Sequence, residues 1–379
     1  MFEFDYIDTK EKLDDFIDEL KGVKRLAIDT ESNQLQGYNV RICLVQIATP
    51  HHIGLIDVEV LPQDSMERLR TFLESPHIEK VLHASDNDLI GFQRDFNIRL
   101  GHLFDTFLAT RFLNLPNKGL GKLLLEYFNL KTSKKFQKLD WSMRPIPEEA
   151  LEYAVYDVLH LSELWDILAE QLEKENLLDA VIEESQFLLT RVPQAKTFDE
   201  QGFLKLRGAN DLWGSSLKVL KELYIWRHHI CTELDRAAFL VLNDRDLLNI
   251  AHQKPRNVRE LRDITHYKNR YIKKYSHDIL EVIQLGLSSK KNPLTSANSS
   301  HASKKHSSIN KEFLKKLKLW RHHIAEKELF EDGLVMSNAV LEELTRKRPT
   351  SLDELLQIPA MLSWRVERYG NKLLKVLHH

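Results

Sequence analysis

The chain has 379 residues, 42% hydrophobic and 29% charged, which predicts two or three soluble globular domains with ample core. Two cysteines, Cys43 and Cys231, exclude a disulfide scaffold and a Cys-rich zinc site and predict a reducing, cytoplasmic setting. The net charge of −2 conceals an asymmetry: residues 1–200 hold 36 acidic against 22 basic side chains, residues 201–379 hold 20 against 32. The second half is thereby suited to a polyanion and the first to cations, although mutual attraction of the halves is a competing reading.

The N-terminus, MFEFDYIDTKEKLDDF, is acidic, and no run of 18 apolar residues follows it, so neither a secretory leader nor a membrane span is expected. RLAIDT, VRICLVQIAT, HHIGLIDV and KVLHA read as strands, with SMERLRTFLES and NDLIGFQRDF as helices between and after them. A mixed sheet flanked by helices follows. In the first strand Ala27, Asp29 and Glu31 face one way and Leu26, Ile28 and Thr30 the other. At about 6–7 Å between Cα atoms, Asp29 and Glu31 can reach one ion, which would remove their repulsion. Alternatively the strand ends at Ile28 and the two acids cap a solvated turn.

In VLHASDNDL the strand ends near His83, Ser85 or Asp86 can cap the next helix, and Asp88 falls in its first turn. Read alone, Asp86 and Asp88 are ordinary capping acids. Between Lys118 and Arg144 seven basic residues stand against Glu126 and Asp140. This stretch could line a single-stranded nucleic acid, with Lys135 and Arg144 as phosphate contacts and Trp141 as a stacking platform; a solvated helix and loop is the alternative. Pro147, Glu148 and Glu149 open a helix in which Ala150, Tyr153, Ala154, Asp157, Val158 and Leu161 share one stripe. A carboxylate inside an apolar stripe needs a partner, either an ion pair or a metal.

Beyond about Gly208 the pattern is helical and repeated. LYIWRHHI at 223–230 recurs as LKLWRHHI at 317–324, each copy followed by further matching helical segments. The paired histidines point about 100° apart on a helix and are expected as surface or groove-facing residues, not on a metal. The Ser-, Lys- and Asn-rich stretch 287–309 between the copies is expected to be a flexible linker.

Asp29-Thr30-Glu31, the H-A-x-x-x-D-L stretch from His83 to Leu89, and Tyr153-Ala-Val-Tyr-Asp157 together resemble the DEDD superfamily of 3′→5′ exonucleases, in its Y-x-x-x-D subclass. The segment from KKFQKLDW to YDVLHL is similar to ribonuclease D in particular, and the helical repeats look like HRDC domains. The resemblance implies a ribonuclease H-like α/β nuclease domain over 1–195, an all-α HRDC domain over 209–286, the linker, and a second HRDC domain over 310–379. It implies catalytic Asp29, Glu31, Asp88, Tyr153 and Asp157, the four acids holding two divalent ions, Mg²⁺ or Mn²⁺. It implies release of 5′-nucleoside monophosphates from the single-stranded 3′ ends of RNA, with tRNA precursors as substrates in tRNA 3′ maturation and no obligate protein partner. A DNA exonuclease and a catalytically silent RNA-binding scaffold remain the alternatives.

Overall fold

The computed structural model describes residues 3–191, 198–266, 268–290 and 310–378. Six strands, β1 (Asp5–Ile7), β2 (Arg25–Ser32), β3 (Ile42–Ala48), β4 (Ile53–Ile56), β5 (Glu79–Leu82) and β6 (Leu103–Asp105), form one sheet in the order β1-β4-β3-β2-β5-β6. The pairs β2–β3 and β3–β4 are antiparallel; β1–β4, β2–β5 and β5–β6 are parallel. Four of these are the expected strands. The other two, β1 and β6, span three residues each, too short for an alternation to show in sequence.

Eight helices accompany the sheet: α1 (Lys10–Glu19), α2 (Arg70–Leu73), α3 (Asp86–Phe96), α4 (Thr106–Phe112), α5 (Leu120–Phe128), α6 (Glu148–Leu159), α7 (Leu161–Lys174) and α8 (Leu178–Thr190). The helix expected at SMERLRTFLES is a 3₁₀ turn, Ser65–Leu69, running into the short α2. Strand alternation sorts the core. Ala27, Leu44 and Ala48 pack with Ala150, Ala154 and Val158 of α6, while Leu26, Ile28, Val45 and Ile47 pack with Leu13 and Phe16 of α1 and Leu89 and Phe92 of α3. Both faces are therefore covered, which is why all seven residues of β3 are buried. Pro147 caps α6 in an extended conformation, Glu148 and Glu149 fill its first turn, and His160 separates it from α7, so Leu161 of the expected stripe lies on the next helix.

The described residues fall into two compact units: 3–32, 42–191 and 310–378 in one, and 33–41 with 198–266 and 268–290 in the other. In the second unit α9 (Gly214–Leu234), α10 (Ala238–Val241), α11 (Asp244–Gln253), α12 (Val258–Ile264), α13 (Arg270–Lys274) and α14 (Ser276–Ser288) form the first helical repeat. Residues 33–41, the connection from β2 to β3, fold against it: Asp235 accepts from the backbone N–H of Tyr38 and Asn39 and pairs with Arg41, and the Tyr38 hydroxyl meets His228 Nδ1 at 2.7 Å. The second repeat, α15 (Lys311–Glu328), α16 (Asp332–Val335), α17 (Asn338–Lys347), α18 (Leu352–Leu356) and α19 (Ser363–His378), belongs to the first unit. The expected linker is described only at 287–290, where α14 runs through Ser288; its remainder, 291–309, lies outside the described residues.

The repeated W-R-H-H-I is explained by its arginine. Arg227 is buried and donates to the Leu242 carbonyl and Asp244, and Arg321 is buried and donates to the Met336 carbonyl and Asn338, so each ties the long helix of its repeat to the following turn. Of the histidines beside them, His229, His322 and His323 are exposed, whereas His228 is half-buried, stacked on Phe198 and in contact with the Tyr38 hydroxyl. The second repeat is anchored on α8. Glu183 accepts from the backbone N–H of Ser363 and Trp364 at 2.9 Å, a carboxylate on the first turn of α19, and Glu184 accepts from Trp364 Nε1 and pairs with the buried Arg365. Arg365 also donates to the carbonyls of Leu334, Val335 and Ala360. Replacing it with alanine strands the Glu184 carboxylate and three carbonyls, and the expected loss in urea unfolding is about 3–5 kcal/mol. An Arg365→Ala protein with the wild-type unfolding midpoint would show that the anchor carries no stability.

Candidate active site

Strand β2 follows β5 only from Arg25 to Ala27; beyond that pair it continues alone on that side through Asp29, Thr30 and Glu31 while β5 ends at Leu82. The parting leaves a cleft at the carboxyl ends of two parallel strands, where open α/β sheets place their ligands. Asp29 and Glu31 point to the α6 side of β2. On α6 Asp157 faces them, and one carboxylate oxygen from each of Asp29, Glu31 and Asp157 lies within 4.8 Å of the others. Among the described residues this is the cluster of acids suited to a metal ion.

Asp88 stands beside that trio, in the first turn of α3, and approaches from the opposite face of β2. It is held by Thr30, whose hydroxyl donates to Asp88 Oδ1 at 2.5 Å. Asp88 is buried and Asp86 exposed, so the turn sends the former inward and the latter to solvent. Ser85 precedes α3 without capping it; its hydroxyl donates instead to Asp105. Asp105 is itself buried and also accepts from the backbone N–H of Ala84, Ser85, Phe107 and Leu108. That grip sustains Ala84 at φ +59°, a left-handed conformation unfavourable for alanine, and so fixes the turn that aims Asp88. His83 closes the strand as expected, its Nδ1 3.0 Å from the Thr106 hydroxyl and its ring edge-on to Phe107.

Tyr153, one turn before Asp157, hydrogen-bonds it and is walled by Phe136 and Trp141, with ring centroids 6.1 and 6.3 Å away. Here two expectations are corrected. Trp141 is 2% exposed and packs in the core, so its face is not offered to a nucleic-acid base. Arg144 is spent internally: its Nε and Nη2 grip the fully buried Asp57 at 2.5 Å each, and its remaining donors take the carbonyls of Cys43, Trp141 and Met143. Lys135 alone of the three is exposed, paired with Glu149 at 2.6 Å. Arg144 pulls the loop down onto the sheet, and Trp141 comes with it.

The electrostatics are those of an acid cluster. Burial, then the neighbouring Asp88, Asp157 and Glu31 carboxylates, holds Asp29 well above the ordinary carboxylate range; burial, then Asp157 and Asp88, does the same to Glu31. Burial lifts Asp88 to about 7 against the pull of the Thr30 hydroxyl, and lifts Asp157 to about 7 against that of Tyr153. Tyr153 is raised by burial and by Asp157, Glu31 and Asp29, so it stays protonated at neutral pH. Hard oxygen donors at close quarters, with like charge left uncompensated, fit magnesium or manganese and not a thiolate metal.

Residues 4–173 match the family described as 3'-5' exonuclease, and residues 216–283 and 310–377 each match the HRDC domain. Protein RRP6-like 2 of Arabidopsis thaliana is 30% identical over 291 residues, covering 74% of this chain and 33% of that protein. The exosome complex exonuclease RRP6 of Saccharomyces cerevisiae is 28% identical over 306 residues, 76% of this chain and 41% of that protein. The chain thus spans about a third to two fifths of the length of these relatives. The catalytic core of RRP6 from Trypanosoma brucei superposes with a TM-score of 0.67 at 26% identity, over 76% of this chain and 80% of that one. Escherichia coli RNase D, an exoribonuclease involved in structured RNA processing, superposes with a TM-score of 0.69 at 23% identity over 99% of both chains, a likeness of fold along the full length.

The first domain is therefore a DEDD-type 3′–5′ exonuclease domain, of a family that depends on divalent metal. Joined to two HRDC domains, it makes the chain ribonuclease D-like in architecture.

Carboxyls whose folded pKa is raised keep protons that the unfolded chain has released, so between about pH 4 and 7 the metal-free protein loses stability as pH rises. By differential scanning fluorimetry Asp29→Asn should raise the Tm of the metal-free protein at pH 7.5, and Mn²⁺ should raise that of the wild type at pH 7.5 far more than at pH 5. A wild-type Tm indifferent to Mn²⁺ at both pH values would contradict a cation site among these acids.

Proposed function

We propose that the chain is a metal-dependent 3′→5′ exoribonuclease that releases 5′-nucleoside monophosphates from single-stranded RNA 3′ ends, with tRNA precursors as substrates. The observation that carries this reading is the convergence of Asp29, Glu31 and Asp157 within 4.8 Å, with Asp88 and Tyr153 beside them, in a domain of the 3′–5′ exonuclease family. Asp29, Glu31 and Asp157 would hold one divalent ion, and Asp29 with Asp88 a second, Mg²⁺ or Mn²⁺. Such ions supply activation of a water and stabilisation of the departing 3′-oxygen. The protein's own part is to aim and hold. Thr30 keeps Asp88 oriented, and Asp157 keeps Tyr153 in place. The Tyr153 hydroxyl, its proton directed to Asp157, orients the attacking water through its remaining lone pair and does not act as its base.

RNA is favoured over DNA by the full-length likeness of fold to Escherichia coli RNase D, which is described as an exoribonuclease. Phosphate attraction by the basic second half supports a nucleic-acid substrate of either kind. No helix among the described residues is long and apolar enough to cross a membrane, and both cysteines are free and buried.

Asp29→Asn and Asp157→Asn should each lower single-turnover cleavage roughly a thousandfold or more, EDTA should abolish it, and Asp86→Asn should leave it intact. Equal losses from Asp86→Asn and Asp88→Asn would assign the second-motif acid wrongly. Tyr153→Phe should cost on the order of tenfold to a hundredfold, since positioning suffers while the cations remain. Matched oligonucleotides with 2′-OH or 2′-H at the 3′ end separate the RNA from the DNA enzyme. Absence of nucleotide release with either metal would leave only an RNA-binding scaffold.

A further inference from the structure

Gln46 lies in the middle of β3, is fully buried, and neither its amide nitrogen nor its amide oxygen has a hydrogen-bond partner. Buried polar groups are rarely left so, and a methionine would fill the same space without the penalty. Its position narrows what it can meet. Gln46 is the direct cross-strand partner of Asp29, so both side chains rise on the same face of the sheet, with Cβ atoms about 4.5–5.5 Å apart. Its neighbours along that face of β3 are Leu44 and Ala48, and across on β4 is Leu55, all apolar. In the ladder, the acids of β2 are the hydrogen-bonding side chains beside it.

We propose that Gln46 is a positioning residue for Asp29, its amide N–H donating to the Asp29 carboxylate when that carboxylate holds divalent metal; this rests on the metal-site reading given above. The residue type suits the task. Metal-bound carboxylates are commonly oriented by a second hydrogen bond from the protein. A lysine or arginine at this position would neutralise Asp29 and compete with the cation, whereas an uncharged amide fixes the carboxylate and leaves its charge for the metal.

The experiment is a Mn²⁺ titration followed by electron paramagnetic resonance on the full chain, wild type against Gln46→Met, with the Tm of each metal-free protein measured alongside. The expected result is Mn²⁺ affinity weakened about tenfold to a hundredfold in Gln46→Met. The metal-free Tm should be unchanged or higher, since two unsatisfied polar atoms are gone. In RNA cleavage kcat should fall while KM holds. Should Gln46→Met fail to melt cooperatively, Gln46→Leu is read by the same criteria. Wild-type Mn²⁺ affinity in the variant overturns the role of Gln46 and leaves the metal site standing; a loss of affinity matched by a lowered metal-free Tm overturns it in favour of plain packing. A wild-type protein that binds no Mn²⁺ removes the metal reading itself, and the inference with it.

Discussion

Like charge held at close range is the constraint around which the first unit is organised. Asp29, Glu31, Asp88 and Asp157 repel one another, and burial denies them the water that would screen the repulsion. A flexible scaffold would let them drift apart in the absence of a cation. Each acid is instead borne on a regular element, with β2 contributing two and α3 and α6 one each, and each element is pinned from outside the cluster. The cleft exists because β2 outlasts its parallel neighbour by several residues, so a difference in strand length becomes a binding site.

The pins form a continuous frame. Asp105, at the end of β6, grips the turn ahead of Asp88, and its own N–H donates to the Ser185 hydroxyl on α8. One turn of α8 also presents Glu183 and Glu184, which take up the start of α19 in the second HRDC domain. A single helix thus supports both the Asp88 side of the site and the docking of a helical domain. On the α6 side, the Arg144–Asp57 pair presses the loop carrying Trp141 against Tyr153. Residues outside the acid cluster therefore decide where its carboxylates and Tyr153 stand, and their own energetics are those of buried ion pairs and satisfied backbone groups.

What the sequence discloses follows from how local each signal is. β2, β3, β4 and β5 are legible because each is an apolar run bounded by turn residues, and the helical repeat is legible because two eight-residue stretches nearly coincide. The four acids are visible singly, yet they span about 130 positions, and only the family resemblance joins Asp29 to Asp157. Thr30 and Gln46 escape notice for a related reason: each matters through the residue across from it, Asp88 or Asp29, and that pairing is set by tertiary contact and strand register. Trp141 misleads because a lone tryptophan among lysines reads as surface. Its burial depends on Arg144 finding Asp57, 87 positions away.

The strand that bears Asp29 and Glu31 ends at Ser32, and the next nine residues fold with the first HRDC domain before the chain returns as β3. A helical module appended after a nuclease would ordinarily be exchangeable, gained or lost by joining genes at a linker. Here the module holds a piece of the nuclease's own hairpin: Tyr38, Asn39 and Arg41 share Asp235, and the Gln36 carbonyl accepts from Ala237. Swapping the first HRDC domain for an unrelated one would leave that hairpin tip without its partners, in the segment directly after the strand that bears Asp29 and Glu31. A replacement domain would keep these contacts only with an acid at the end of its first long helix, where Asp235 stands.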